Sequence, residues 1–178
     1  MKQTGHAPPR RTRREIAKYV LSVCALLLGA ATVQLCVLDK LRILGAIPDL
    51  MLVTVLLLAF FWGRFTGAIV GIVAGVFIEA LGGSGISLLP VVYFLCGYLV
   101  GHYARAVIPR KFSVYLMLLL GALVVRGATT LTYASLTYDQ FSLPRVLLGL
   151  VLPELLATAL WGCLLYLPVR RFCRAVGD

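Results

Sequence analysis

Residues 47–81 read IPDLMLVTVLLLAFFWGRFTGAIVGIVAGVFIEAL, and only Asp49, Arg64 and Glu79 carry charge in that stretch. Pro48 and Asp49 mark a helix start, because proline suits a first helical turn and a carboxylate suits the positive end of the helix dipole. Gly63-Arg64 marks a tight turn between two apolar runs. The stretch therefore predicts two helices, over Ile47–Trp62 and Phe65–Leu81. The first is short for a membrane span and is expected to tilt little or to thin the bilayer.

The same kind of segment recurs outward from this stretch, over Lys18–Leu38, Ile86–Tyr103, Phe112–Tyr133 and Val146–Val169. Short polar or flexible links separate the segments: Asp39 to Arg42, Gly82 to Gly85, Arg105 to Lys111 and Thr137 to Gln140. Hydrophobic residues make up 61% of the chain and charged residues 13%, about half the charged share of an ordinary soluble domain. A globule of 178 residues has too much surface for its volume to bury that much apolar material in water. Lipid can take it up: spanning helices need about 20 apolar residues each, and six of them use most of the chain. The expected fold is all-α, a polytopic membrane bundle of six transmembrane helices forming one domain over 15–170. The N-terminal residues 1–14, MKQTGHAPPRRTRR, are polar and basic and are expected to form a disordered cytoplasmic tail, with a second short tail over 171–178. The first apolar segment follows a basic stretch as a signal peptide would. Its run is too long for one and no small-residue cleavage site follows, so it reads as a retained helix.

The formal net charge is +10, and its placement explains it. The basic residues cluster at the ends of apolar segments, where Lys and Arg set orientation by staying cytoplasmic. With the N-terminus inside, thirteen of the 17 Lys and Arg fall on the cytoplasmic side, against Lys40, Arg42 and Arg145 outside, while Arg126 lies within a helix. That bias requires an even number of spans with both termini in the cytoplasm. Topology thus accounts for the charge without nucleic acid. The cysteines, Cys24, Cys36, Cys96, Cys163 and Cys173, lie in or beside apolar segments without C-x-x-C spacing and read as small buried apolar residues.

Two features could carry function. Gly63, Gly67, Gly71 and Gly75 recur at every fourth residue and share one helix face, where small residues let another helix approach closely. The reading favours packing within this chain over contact with another, and Gly97 and Gly101 form a shorter version. The next step of the ladder is Glu79. Together with Arg126 and Glu154 it makes a set of charges inside apolar helices, each costing several kcal/mol in lipid unless paired or wetted. Arg126 can bridge two carboxylates with its fork of donors, and is expected to pair with Glu154, with Glu79 or with both, in the outer half of the bundle. Pro153 is expected to kink the last helix beside Glu154. Asp49, Glu79, Arg126 and Glu154 are thus the candidate buried polar cluster, readable either as a structural ion-pair network or as a partner or ligand site opening outward.

No enzyme signature appears. His6 lies in the tail and His102 at a helix end beside Tyr103, and H-E-x-x-H, G-x-S-x-G and Walker patterns are lacking. Glu79 and Glu154 could form a carboxylate pair, yet nothing supplies the supporting shell that hydrolysis needs. No catalytic, cofactor-binding or metal-binding residue is assigned.

Pro48-Asp49-Leu50, the run Gly67 to Glu79 and Gly82-Gly83-Ser84-Gly85-Ile86 resemble the rod shape-determining MreD family. Its pattern is a Pro-Asp or Pro-Asn start, a glycine-ladder helix ending in an acid, a short Gly-rich loop and another apolar helix. Glu79 stands where that family more often shows Asp. The resemblance implies a non-catalytic component of the bacterial inner membrane, similar in outline to the substrate-binding subunits of energy-coupling-factor vitamin transporters. It implies an MreC-like partner and, through it, an MreB-like filament and the elongation cell-wall synthase pair. The alternative is a solute-binding transporter subunit, for which Tyr93, Tyr98, Tyr133 and Tyr138 near the outer loops could serve. Reporter fusions or cysteine labelling should place both termini in the cytoplasm; outer labelling at Arg174→Cys without outer labelling of the N-terminal tail would rule out six spans.

Overall fold

The computed structural model describes residues 13–34, 36, 48–82, 88–106, 112–137 and 143–177. Residues 1–12 of the expected N-terminal tail, the Asp39–Arg42 link, Gly83 to Gly85 of the Gly-rich loop, and most of the Arg105–Lys111 and Thr137–Gln140 links lie outside the described residues, as do the expected end of the first helix and start of the fourth; Arg13 and Arg14, expected in the tail, begin the first helix instead.

The described residues form helices and no strand. The helices are α1 (Arg13–Val33), α2 (Leu50–Trp62), α3 (Arg64–Gly82), α4 (Leu89–Ala106), α5 (Phe112–Thr137), α6 (Leu143–Val146) and α7 (Leu152–Gly177). A π-helical turn, Leu147–Val151, joins α6 to α7, with right-handed helical dihedrals on both sides, so the three pieces make one rod. Three stretches are long and apolar enough to cross a membrane: Arg64–Leu81, Phe112–Leu136 and Leu147–Cys173; Val20–Val33 and Leu50–Trp62 are shorter apolar helices. Pro153 leaves its mark as that π turn. The Leu152 N–H reaches back to the Leu147 carbonyl, a five-residue step, and the widened turn accommodates a residue that has no N–H and would crowd a preceding carbonyl. α7 then runs through Pro168 to Gly177, so the residues expected as a C-terminal tail continue the helix.

α2 is the axis of the bundle. Every residue from Leu50 to Phe60 is buried, as suits a helix apolar on all sides. With 13 residues it is about 20 Å long, short of the roughly 30 Å of a bilayer core. Protein surrounds it: α1, α3, α4, α5 and α7 all pack on it. It begins at Leu50, one residue after the Asp49 cap, and ends at Gly63. Gly63 has φ 98°, a left-handed conformation that a side chain would strain, and this lets α3 start at once.

α3 and α4 are the most closely packed pair, and the glycine ladder explains it. A Cβ added to Gly71 would sit 2.7 Å from the Tyr93 carbonyl carbon; one on Gly75 would strike Pro90; one on Gly97 would lie 2.7 Å from the Gly67 carbonyl carbon. The ladder on α3 and Gly97 and Gly101 on α4 therefore serve contact within the chain, backbone against backbone. At the closing end of α2, aromatic rings fill the space: Phe60 and Tyr115 lie 5.6 Å apart by centroid, Tyr115 and Tyr166 5.1 Å, Phe112 and Tyr166 4.9 Å. The Tyr115 hydroxyl donates to the Gly162 carbonyl at 3.3 Å.

Replacing Gly71 by alanine raises helix propensity, but here it drives a methyl group into backbone that cannot yield, and overpacking costs about 1–3 kcal/mol. Gly121 has open space where its side chain would stand, so Gly121→Ala should be neutral or stabilising by up to about 1 kcal/mol. Thermal unfolding in detergent of the two variants should give shifts of opposite sign or of clearly different size.

Candidate functional site: a buried polar node at the start of α2

The first turn of any helix exposes N–H groups that need partners. At the start of α2 these groups are buried, and each is satisfied. The Leu50 N–H reaches the Pro48 carbonyl at 3.2 Å and the Val53 N–H the Asp49 carbonyl at 3.3 Å. The Met51 N–H donates to Gln34 Oε1 at 3.0 Å, and the Leu52 N–H donates to Asp49 Oδ1 at 3.0 Å. Asp49 is thus a true N-cap.

Its second oxygen does different work. Asp49 Oδ2 accepts the Tyr93 hydroxyl of α4 and Arg126 Nε of α5 at 3.3 Å. The Asp49 N–H donates to Thr158 Oγ1 of α7 at 3.0 Å, and that hydroxyl in turn donates to the Glu154 carbonyl at 2.7 Å. Arg126 Nη2 lies 3.5 Å from Glu154 Oε1, while Nη1 donates to Thr130 Oγ1 at 3.2 Å. The side chains of Asp49, Arg126 and Glu154 are 6%, 14% and 15% exposed. Groups from α2, α4, α5 and α7, together with Gln34 just past α1, therefore meet at one place.

Of the candidate residues, Asp49, Arg126 and Glu154 come together and Glu79 does not. Arg126 takes Asp49 as its second carboxylate in place of Glu79. Glu79 is half-buried and forms no ion pair among the described residues. The reason is height along α3: Gly71 meets Tyr93 on α4, and Glu79 lies eight residues farther on, about 12 Å at helical rise. The glycines of the candidate set lie apart from the node, along the α3–α4 contact. Of the tyrosines considered for a solute, Tyr93 is buried with its hydroxyl on Asp49, and Tyr98 stacks between Phe94 and His102. Tyr133 is half-buried on α5, and Tyr138 lies outside the described residues.

Sequence reasoning missed Gln34, Tyr93, Thr130 and Thr158 as members of the node. Two of them had a readable signal: Thr130 follows Arg126 by four residues and Thr158 follows Glu154 by four, which puts a hydroxyl beside each buried charge on the same helix face. No group of His, Cys, Asp and Glu that could hold a metal ion occurs among the described residues. No family model, curated protein or solved structure matches the chain.

Removing one partner of a buried ion pair leaves an uncompensated charge and costs about 3–5 kcal/mol. Arg126→Leu should lower folded yield in detergent by that order. Adding Glu154→Leu to it should recover part of the loss, whereas adding Glu79→Leu should recover none. Tyr93→Phe removes one donor from Asp49 and should cost about 1–3 kcal/mol. Equal losses in Arg126→Leu with and without Glu154→Leu would show that Glu154 takes no part in the node.

Proposed function

We propose that the chain is a non-catalytic membrane scaffold: a six-span bundle in the bacterial inner membrane, with both termini in the cytoplasm, that works by holding other membrane proteins. The observation that carries this reading is how the buried polar groups are used. Asp49, Tyr93, Arg126, Thr130 and Thr158 spend their hydrogen bonds on one another and on backbone. A site that binds a solute or performs acid–base chemistry keeps polar groups free to meet its substrate. Here these groups lock five helical segments into one body, Glu154 keeps one oxygen without a partner among the described residues, and contact through the body's outer surfaces is the work that remains.

The resemblance of Pro48-Asp49-Leu50, the glycine ladder and the Gly82–Ile86 segment to the MreD family gives the scaffold its setting, the cell-elongation machinery. The partner is then an MreC-like membrane protein, bound at the outer end of the bundle near Asp49, Glu79 and the Gly82–Gly85 loop. The basic ends, Arg10 to Arg14 and Arg170 to Arg174, face anionic lipid, each basic side chain near the surface contributing about 1 kcal/mol. The similarity in outline to energy-coupling-factor binding subunits belongs to the same proposal.

Depletion in the native cell should convert rods to rounded cells, and the tagged protein should retrieve a membrane partner with an extracytoplasmic region. Cells that keep their shape, together with a purified protein that carries a vitamin-like solute or an energy-coupling module, would replace this reading with that of a transporter subunit.

A further inference from the structure

We infer that Glu154 is the attachment point for a basic side chain, lysine or arginine, carried by the membrane-spanning or juxtamembrane segment of the partner protein. The inference rests on the partner-binding reading proposed above and gives it a residue and a chemistry.

The argument is one of charge and of unspent hydrogen-bonding capacity. The node sets two carboxylates, Asp49 and Glu154, against one guanidinium, Arg126. Asp49 is fully served: it accepts from the Leu52 N–H, the Tyr93 hydroxyl and Arg126 Nε. It also stands at the N-terminus of α2, where the helix dipole contributes roughly half a positive charge. Glu154 has far less. Its one side-chain partner among the described residues is Arg126 Nη2, at 3.5 Å, beyond the roughly 2.7–2.9 Å of a strong charge-assisted bond. Its other oxygen accepts no hydrogen bond among the described residues. The other cations whose side chains are described are remote. Arg105 reaches the Trp62 carbonyl at the far end of α2, where Arg64 begins α3. Arg170 and Arg171 lie sixteen or more residues along α7 from Glu154, about 24 Å at helical rise. Among the described residues Glu154 is thus a carboxylate in an apolar bundle with half its acceptor capacity unused, 15% exposed where Asp49 is 6% exposed. It can be approached from outside the node.

The chemistry that completes it is a single positive charge with N–H donors. A free cation would surrender its hydration for little more than one carboxylate oxygen. A basic side chain on a helix that packs against the bundle has that desolvation offset by the packing, and it adds register to the contact. The partner's segment is therefore expected to carry a Lys or Arg at the depth of Glu154.

The test uses the tagged full chain in native membranes. Glu154→Gln keeps shape and removes charge. It should reduce recovery of the partner at least tenfold. Neutralising the partner's Lys or Arg to Gln should give the same loss, and the double variant should lose no more than either single one, as a coupled pair requires. The partner-side substitution leaves this chain untouched, so it decides the matter even where Glu154→Gln folds poorly. Unchanged recovery, or losses that add, would overturn this contact and leave the scaffold reading standing. If the wild-type chain retrieves no membrane partner, both fall. Two further outcomes overturn the inference. In one, ethylguanidinium raises the unfolding midpoint of the wild type but not of Glu154→Gln and no partner is retrieved, which makes the site one for a free cation. In the other, Lys40→Gln, Arg42→Gln or Arg145→Gln matches the loss of recovery seen with Glu154→Gln, which places the neutralising cation within this chain.

Discussion

Asp49 caps a helix whose first turn cannot reach water. Every residue of α2 from Leu50 to Phe60 is buried, so the N–H groups at its start are enclosed by other helices, and an enclosed N–H without a partner costs as much as a lost hydrogen bond or more. A carboxylate at that place solves the N–H problem and creates another, since a lone buried charge is costlier still. Arg126 answers the charge, and Glu154 then shares the guanidinium that Asp49 does not fully use. Gln34, Tyr93, Thr130 and Thr158 supply the remaining bonds. The arrangement of the helices follows from satisfying one helix start.

A buried ion pair is poor value as a source of stability, because a well-packed apolar replacement often does as well or better. What the node fixes is register. Apolar helices slide past one another at little cost when every neighbour is Leu or Val. A residue whose carboxylate must meet a hydroxyl on α4 and a guanidinium on α5, and whose N–H must meet a threonine on α7, permits one set of heights. The other end of α2 is held by shape: the rings of Phe60, Phe112, Tyr115 and Tyr166 interlock, and Arg105 reaches the Trp62 carbonyl at the helix end. Between these ends, α3 and α4 approach through glycines to backbone contact. Polar, aromatic and small residues each set a different part of the packing.

Glu79 shows how the same residue type takes different roles by height alone. It continues the face that begins with Gly63, and its charge invites pairing with Arg126. The ladder faces α4 along its whole length, however, and passes the level of Tyr93 at Gly71. By the time α3 reaches Glu79 it has moved about 12 Å beyond that level. Arg126 takes the acid that caps the central helix.

The sequence by itself determined the helical class, the apolar segments and their approximate bounds, the tight turn at Gly63, the close approach along the glycine ladder and the fact that Arg126 and Glu154 need partners. These are legible because composition, glycine spacing and the cost of charge among apolar residues act locally, along one helix at a time. Tertiary structure alone decided that α2 is the enclosed helix, since a run apolar on every face suits lipid and protein interior equally. It also decided that Asp49, read from the sequence as a helix start and one of four residues of a candidate polar cluster, is the centre of the node. The partner of a buried charge depends on the relative heights and rotations of helices far apart in the chain, seventy-seven residues in the case of Asp49 and Arg126. No periodicity within a single helix encodes that distance; it emerges only when the helices pack.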